Sequence, residues 1–327
     1  MDISGVISSF KALYAASTSD VGNIFNCMVS GGSECLFKYH AASGVMFLCA
    51  CFITYCFVWS EICRNVSKVD QIWSITPFVY CWFLHFYHLH HNGFVHQRLL
   101  VVCVLTTIWG LRLTYNFWRR GGYGLITHDE DYRWPILRKA IGSPVLFFIW
   151  NLTFIASYQN LILALIALPA HGVMVGASAM DTKDLIVAVM FLGFLALETR
   201  ADQEHWNFHA KKYGVNASER TVHPDPDVRN GFYTSGLFSL CRHPNYFAEQ
   251  SMWVCVYLFS LTKTPINSVM DLCNGYSAGI ILLITLFQGS MAFSEGITLG
   301  KYPKYKEYQQ RVSQCIPFPQ MGKAKQG

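Results

Sequence analysis

A series of long apolar runs constrains this chain more than any other feature of its sequence. A helix needs about 20 apolar residues to cross a hydrocarbon core about 30 Å thick. Only 14% of the 327 residues are charged, whereas soluble domains carry roughly 25%. We therefore expect an all-α, polytopic membrane helix bundle with about seven transmembrane helices. The candidate spans are residues 42–62, 72–90, 98–118, 143–169, 184–200, 245–262 and 276–297.

These spans divide the chain into three parts. Residues 1–41 form an N-terminal lead-in, residues 42–319 form one membrane domain, and residues 320–327 form a flexible tail. The second and fifth spans are short, and the fourth is long enough to tilt or break.

The distribution of Lys and Arg predicts the orientation of the bundle. With the N-terminus in the lumen, 20 of the 25 basic residues fall on the cytosolic side and five on the luminal side. Basic residues are enriched in cytoplasmic loops of membrane proteins. The sequence therefore predicts a luminal N-terminus, a cytosolic C-terminus and a strongly basic cytosolic face. Two explanations of this basic face are open. It reflects topology and attraction to anionic lipid headgroups alone, or it binds an anionic ligand.

Cysteine and histidine patterns do not predict a metal site. Many of the 12 cysteines lie inside apolar runs, where Cys behaves as a small hydrophobic residue. Five histidines lie between residues 85 and 96, but the topology places them on the luminal side, away from the other polar groups. We expect no metal and no nucleic-acid partner.

Polar residues gather at the ends of the spans on the predicted cytosolic side. An ionisable group at membrane depth is costly, and it is a functional candidate for that reason. Long basic side chains such as Arg119 can reach the interface, but short ones such as Asp70 and Asn245 cannot. We therefore expect a converging polar pocket. Its candidate residues are Asp70, Arg112, Tyr115, Glu198, Arg200, Asp202, Arg242, His243, Asn245, Glu249 and Glu295.

The most informative stretch is residues 236–249, which reads Gly-Leu-Phe-Ser-Leu-Cys-Arg-His-Pro-Asn-Tyr-Phe-Ala-Glu. Pro244 suits the first turn of a helix, because proline lacks an N–H and its φ is preset. Asn245 and Glu249 are four residues apart and share one face of that helix. Such a cluster can hold a phosphate through Arg and a ribose or an amide through Asn and Glu.

The sequence Arg-His-Pro-Asn-Tyr, followed by Glu249, resembles a superfamily of membrane enzymes. It includes the steroid 5α-reductases, the C14 and C7 sterol reductases with the lamin B receptor, and the isoprenylcysteine carboxyl methyltransferases. The chain is most similar to the 5α-reductase-like DUF1295 family. The resemblance covers roughly residues 45–319, so residues 42–319 are expected to be a steroid 5α-reductase-like membrane domain. Further matching segments are residues 69–74, 109–134, 198–203 and 301–318.

The resemblance implies a seven-helix bundle with a cofactor pocket open to the cytosol. In the reductases NADPH delivers hydride to an activated carbon–carbon double bond of a lipid. Asn245 and Glu249 match the residues that hold the cofactor, and Asp202 matches an acid on the preceding helix. Expected cofactor contacts are Arg112, Arg200, Asp202, Arg242, His243, Asn245, Tyr246, Glu249, Tyr302 and Tyr305. Asp70 lies near the position of the family's catalytic acid, and Trp109 or Tyr115 lies near the position of its catalytic tyrosine.

The chain departs from the sterol reductases on the helix before the motif. Those enzymes carry Gln-Lys and then Phe-Arg, whereas this chain has Gln203-Glu204 and Phe208-His209. The replaced Lys and Arg are phosphate-binding residue types. No Gly-x-Gly-x-x-Gly follows a predicted strand, which argues against a Rossmann module.

Three functions are consistent with these observations. The first is NADPH-dependent reduction of a double bond in a sterol, a steroid or another isoprenoid lipid. The second is methyl transfer from S-adenosylmethionine to a lipid or prenylcysteine. The third is a non-enzymatic membrane scaffold of the same fold. Expected partners are the lipid substrate and the membrane lipids, expected in the endoplasmic reticulum. The oligomeric state is left open.

Overall fold

Helices make up the chain's regular structure, as the computed structural model shows for residues 3–32, 34–123 and 130–318. Within these ranges there is no β-strand, so the all-α prediction is confirmed for this part of the chain. The predicted tail, residues 320–327, lies outside the described residues.

The described residues of the N-terminal segment form three short helices. They are α1 (Ile3–Thr18), α2 (Val21–Val29) and α3 (Cys35–Lys38). Cys27 of α2 is bonded to Cys35 of α3. The sequence patterns did not single out this pair.

Eight helices follow, up to residue 175. They are α4 (Ala41–Cys63), α5 (Lys68–Ile72), α6 (Thr76–Asn92), α7 (Gln97–Arg119), α8 (Arg133–Ile141), α9 (Pro144–Trp150), α10 (Gln159–Ala167) and α11 (Pro169–Val175). A π-helical segment, Asn151–Tyr158, joins α9 to α10. The fourth predicted span is thus interrupted by a change in helical pitch. Pro169 follows at the first position of α11.

The remainder of the described chain contains six α-helices. They are α12 (Thr182–Tyr213), α13 (Ala217–Thr221), α14 (Pro226–Asn230), α15 (Pro244–Leu261), α16 (Ala278–Lys301) and α17 (Tyr305–Arg311). Short 3₁₀ turns lie at Gly236–Ser239, Val269–Leu272 and Gly275–Ser277.

Four helical segments of the described chain are long and apolar enough to cross a membrane. They are Ala41–Cys63, Gln97–Arg119, Pro144–Val175 and Gly275–Lys301. The protein is therefore a membrane protein with transmembrane helices. The other three predicted spans coincide with α6, the first part of α12, and α15, and their crossing stays a prediction.

The chain forms two compact units. The first unit is Met1–Val189 with Trp253–Leu283, and the second is Met190–Met252 with Ile284–Gly327. The candidate residues Asp70, Arg112 and Tyr115 belong to the first unit, and the other candidate cofactor contacts belong to the second.

A buried arginine ties three helices of the first unit together. Arg98, in the first turn of α7, is fully buried and donates from Nε to Oδ1 of Asp184 on α12 over 3.0 Å. Its other nitrogens donate to the Ala177 carbonyl, the Phe259 carbonyl and the Thr262 hydroxyl. Because an unpaired charge is very costly in an apolar interior, this network holds the ends of α7, α12 and α15 in register.

Small residues allow helices of the first unit to pack closely. A Cβ atom at Gly279 of α16 would lie 2.4 Å from the backbone of Leu165 on α10. Such contacts are typical of membrane helices, where close van der Waals packing replaces the hydrophobic effect between helices.

Two glycines of α16 allow a matched test of this packing. Gly279→Ala is expected to lower the thermal midpoint of the detergent-solubilised protein, because overpacking costs about 1–3 kcal/mol. Gly289→Ala is the control, since nothing lies within 4 Å of its added Cβ and Ala favours a helix by about 1 kcal/mol. Equal midpoints for the two variants would contradict the close approach of α16 to α10.

Candidate functional site

Two antiparallel helices of the second unit bring the motif residues onto one seam. Asn245, in the first turn of α15, donates from Nδ2 to Oδ1 of Asp202 on α12 over 3.3 Å. Elsewhere along the seam the rings of Phe194 and Phe247 are 5.9 Å apart. Residue numbers fall along α12 as they rise along α15, so the helices run in opposite directions. Two of the residues expected to contact a cofactor, Asp202 and Asn245, are therefore hydrogen-bonded to each other.

Buried carboxylates extend this seam by one helical turn. Glu198 precedes Asp202 by four residues, and Glu249 follows Asn245 by four; all three carboxylates are buried. Residues four apart lie on one face of a helix. Both additional acids therefore lie one turn further along the seam. Buried carboxylates accept hydrogen bonds from hydroxyl, amide or ammonium groups, so the seam suits a ligand rich in such donors.

Arg242 and Glu295 form a second polar cluster immediately before α15. Arg242 donates from Nε to Oε1 of Glu295 over 2.7 Å and from Nη2 to Oε2 over 3.0 Å. Its Nη1 donates to the Gln309 and Val312 carbonyls. Four of the five N–H donors of a guanidinium are therefore engaged. The Arg242 side chain is only 10% exposed.

His243 completes this cluster from the neighbouring position. Its Nε2 lies 2.9 Å from Oε1 of Glu295, and its ring stacks on Tyr246 at 5.2 Å. The backbone N–H groups of Arg242 and His243 donate to the Ser313 and Gln314 carbonyls. The Arg-His pair thus fixes the start of α15 to α16 and to the segment after α17, and it orients Asn245 one turn away.

Glu204 stabilises the turn that leads into the motif. Its Oε2 accepts the backbone N–H of Leu237 over 2.9 Å. Gly236 has a φ of +56°, and a Cβ there would lie 2.3 Å from the same oxygen. Only glycine combines this backbone conformation with the close approach of a carboxylate. The residue that departs from the sterol-reductase pattern therefore has a structural partner in this chain.

Arg200 lies on the exposed side of α12. Its Nε donates to Oε1 of Glu204 over 3.0 Å, and its side chain is 71% exposed. Arg200 and Glu204 line a groove of about 630 Å³ along α12, together with Leu192, Leu195, Ala196, Thr199, Gln203 and Asn207. An exposed i,i+4 pair contributes only about 0.3–0.5 kcal/mol, so Arg200 can exchange Glu204 for another anion at little cost.

The C-terminal tyrosines pack into an aromatic core of the second unit. Tyr305 is buried with Phe232, Tyr308 and Val312, and its burial raises the pKa of its hydroxyl. Tyr302 packs against Gly231, and the Nζ of the buried Lys212 lies 4.9 Å from its ring centre. The structure thus places Tyr302 and Tyr305 in a stabilising cluster around the loop before the motif.

Asp70 of the first unit has the environment of a proton donor. It lies on the short helix α5, and Trp134 donates to its Oδ2 over 3.3 Å. Desolvation by the surrounding protein raises its pKa from 3.8 to about 6, although Arg133 opposes this rise. The start of this short helix is tied to the segment before α8, since Asp131 N–H donates to Ser67 Oγ over 2.9 Å.

The other two candidates of the first unit lie on α7. Tyr115 is 55% exposed, and its ring lies near Trp118 and Arg119 of the same helix. Arg112 is half-buried one turn earlier. Within the described part of the chain, no group of three or more His, Cys, Asp or Glu side chains is arranged to hold a metal ion.

Glu295 and Gln309 are structural partners that the motif did not single out as cofactor contacts. Gln309 Nε2 donates to Oε2 of Glu295 over 2.9 Å. The sequence did contain one indication of this role. Glu295 is a carboxylate at the end of a long apolar run, and an ionisable group there requires a buried partner.

Removal of the Glu295 charge is expected to destabilise the second unit. Glu295→Gln leaves the buried guanidinium of Arg242 without its counter-ion, and breaking a buried ion pair in this way costs about 3–5 kcal/mol. The thermal midpoint should fall by several degrees. Glu307→Gln, which changes an exposed carboxylate on α17, should leave the midpoint unchanged. Equal stability of the two variants would contradict the role of this pair.

The raised pKa of Asp70 predicts a pH dependence of stability. Between pH 4 and 6 the folded protein holds a proton on Asp70 that the unfolded chain has released, so the contribution of Asp70 to stability is fully present below pH 4 and is lost as pH rises through 6. A change in pKa from 3.8 to about 6 corresponds to ~3 kcal/mol. Asp70→Asn should remove this fall in the free energy of unfolding with rising pH, as measured by denaturation from pH 4 to 8. An identical pH profile for both proteins would refute the assignment.

Comparison with known proteins places the chain in a family. The model of a family described as a protein of unknown function, DUF1295, matches residues 56–312. An uncharacterized protein of Schizosaccharomyces pombe is 32% identical over 290 residues, covering 86% of this chain and 81% of that protein. No solved structure matches the chain. The chain therefore belongs to the DUF1295 family.

Proposed function

We propose that this protein is a membrane-embedded, NADPH-dependent reductase of a carbon–carbon double bond in a sterol, a steroid or another isoprenoid lipid. The observation that carries this proposal is the contact between Asn245 and Asp202, with Glu249 one turn further along the same seam. The resemblance to the reductases assigns cofactor binding to these three positions.

The residues along the seam fit the ribose and carboxamide groups of a nicotinamide dinucleotide. Asp202 and Glu249 accept hydrogen bonds from hydroxyl or amide N–H groups, and Asn245 both donates and accepts. Carboxylates commonly hold ribose hydroxyls in dinucleotide sites of other folds. Tyr246 adds an aromatic ring at the start of the same helix, between His243 and Phe287.

Fewer basic side chains can contact a phosphate than the sequence motif suggests. Arg242 directs four donors to Glu295 and to backbone carbonyls. Arg200 is the better candidate for a phosphate, because its exposed pair with Glu204 is easily exchanged. We therefore assign phosphate binding to Arg200 and positioning of α15 to Arg242 and His243.

Bound NADPH supplies a hydride, and the protein must supply the proton that completes saturation of the double bond. Asp70 is the candidate donor, since its raised pKa keeps it protonated up to about pH 6. General acids of this kind work best when their pKa lies near the working pH. Tyr115, the second candidate, is exposed on α7, and its role is tested by Tyr115→Phe.

The excess of acidic groups favours a second candidate, methyl transfer from S-adenosylmethionine. That cofactor carries a sulfonium and an ammonium group and no phosphate, so buried carboxylates such as Asp202 and Glu249 complement its charge. Glu204 also favours S-adenosylmethionine, because the sterol reductases carry Lys, a phosphate-binding residue type, at this position. The reductase remains our first proposal, because Asp202 and the segment from Trp109 to Trp134 match the reductase pattern.

The proposal includes seven transmembrane helices, a luminal N-terminus and a cytosolic C-terminus in the endoplasmic reticulum membrane. Helices are present at all seven predicted spans, which supports this arrangement. A cytosolic cofactor site is consistent with the strong excess of Lys and Arg on the predicted cytosolic side.

Ligand-dependent thermal stability tests the proposal directly. A ligand that binds only the native state at 100 times its Kd stabilises that state by about 2.7 kcal/mol. We expect NADPH to raise the thermal midpoint of the purified protein more than NADH does. The shift should be lost in Asn245→Ala and Glu249→Gln but retained in Gln310→Ala, which removes an exposed amide of α17.

Each remaining outcome selects another function. A shift with S-adenosylmethionine alone would replace the reductase by methyl transfer. No shift with any of the three cofactors would leave the scaffold function. A shift that persists in Asn245→Ala and Glu249→Gln would place the cofactor elsewhere in the chain.

A further inference from the structure

Helix α1 lies across the ends of two candidate transmembrane helices. Ser43, in the first turn of α4, donates from Oγ to the Ala16 carbonyl over 2.7 Å. Gly275, where the last candidate span begins, donates its N–H to Ser9 Oγ over 3.1 Å. Ser9 and Ala16 are about 10 Å apart along a helix, so α1 contacts the two segments at separate points. Because both contacts are at span ends, α1 lies at the level where the membrane ends.

Helices α1 and α2 expose five large apolar side chains, those of Ile7, Tyr14, Phe25, Met28 and Val29. Ile7 and Tyr14 are one heptad apart on α1, and Tyr14 is 72% exposed. Phe25 and Val29 are one turn apart on α2, and Val29 is 73% exposed. Helix α2 contains no charged residue, and Lys11 is the one charged residue of α1. Clustered exposed apolar side chains mark an interaction surface.

The bond between Cys27 and Cys35 indicates which side of the membrane this segment occupies. Disulfides persist in oxidising compartments such as the endoplasmic reticulum lumen and are rare in the cytosol. This argument for a luminal N-terminus uses cysteine chemistry and is independent of the distribution of Lys and Arg.

We propose that residues 3–38 form a disulfide-closed anchor that lies on the luminal leaflet, with the exposed apolar residues of α1 and α2 inserted at the boundary between headgroups and acyl chains. Interfacial helices bind through buried apolar area and through basic residues that attract anionic lipids. Because Lys11 is the one charged residue of α1 and α2, we place their apolar side chains at the boundary of the acyl chains rather than against anionic headgroups. Asp20 fixes the segment to the membrane domain, since its Oδ2 accepts the His40 N–H and its N–H donates to Ser43 Oγ. The anchor does not depend on the proposed enzymatic activity.

Photo-crosslinking in native membranes tests the occupant of this surface. The probe is p-benzoylphenylalanine, placed by Phe25→benzoylphenylalanine or Val29→benzoylphenylalanine, with Glu34→benzoylphenylalanine as a control on the exposed polar side. We expect lipid adducts, detected by mass spectrometry, at positions 25 and 29 and not at 34. Crosslinks to a second copy or to another protein would overturn a lipid surface, as would the absence of adducts at positions 25 and 29.

Thiol labelling in sealed microsomes tests the side of the membrane. A membrane-impermeant reductant should open the bond between Cys27 and Cys35 only after detergent is added, as measured by the mass gained with a maleimide-polyethylene glycol. Cys27→Ser should abolish the reductant-dependent gain. Opening in sealed microsomes, or no reductant-dependent gain in the wild type, would overturn the luminal anchor.

Discussion

The interior of this protein is mostly apolar, so each buried charge must have its partners built into the fold. The desolvation cost of an unpaired ion is several kcal/mol, and there is no water in a hydrocarbon core to reduce it. Arg98 in the first unit and Arg242 in the second meet this constraint in the same way. Each guanidinium binds one carboxylate, Asp184 or Glu295, and directs its remaining donors to main-chain or hydroxyl oxygens. The helix ends that carry these partners are thereby held at fixed positions.

This constraint changes the functional interpretation of the motif. Arg242 and His243 precede α15 and bind Glu295, Gln309 and the segment after α17. They position the helix, whereas Asn245 and Glu249 on its buried face stand opposite the acids of α12. The motif therefore combines residues that fix a helix with residues to which the proposed function assigns the cofactor contacts. The seam is acidic, and the exchangeable cation, Arg200, lies at its outer edge.

The N-terminal segment combines helices of low charge with exposed apolar side chains. Its helices carry almost no charge and would be unfavourable in water with Tyr14, Phe25 and Val29 exposed. Its contacts with the first turns of α4 and of the last candidate span place it beside the membrane surface. A lipid environment accounts for the exposure of these apolar side chains. The disulfide keeps α2 and α3 together at that surface.

The sequence by itself determined the membrane class, the positions of the helices and the family, because apolar runs of span length and an ordered motif are local properties. All seven predicted spans fall on helices, and Asp202 and Asn245 were both among the polar residues expected to gather at the span ends. Tertiary structure alone decided the partners of Arg242, the role of Glu204 and the disulfide between Cys27 and Cys35. These depend on side chains far apart in the chain, or on the backbone conformation of a turn, and residue spacing carries no information about either. The π-helical interruption of the fourth span was likewise seen only in the structure, where its first residue, Asn151, donates to Ser60 and Glu61 of α4.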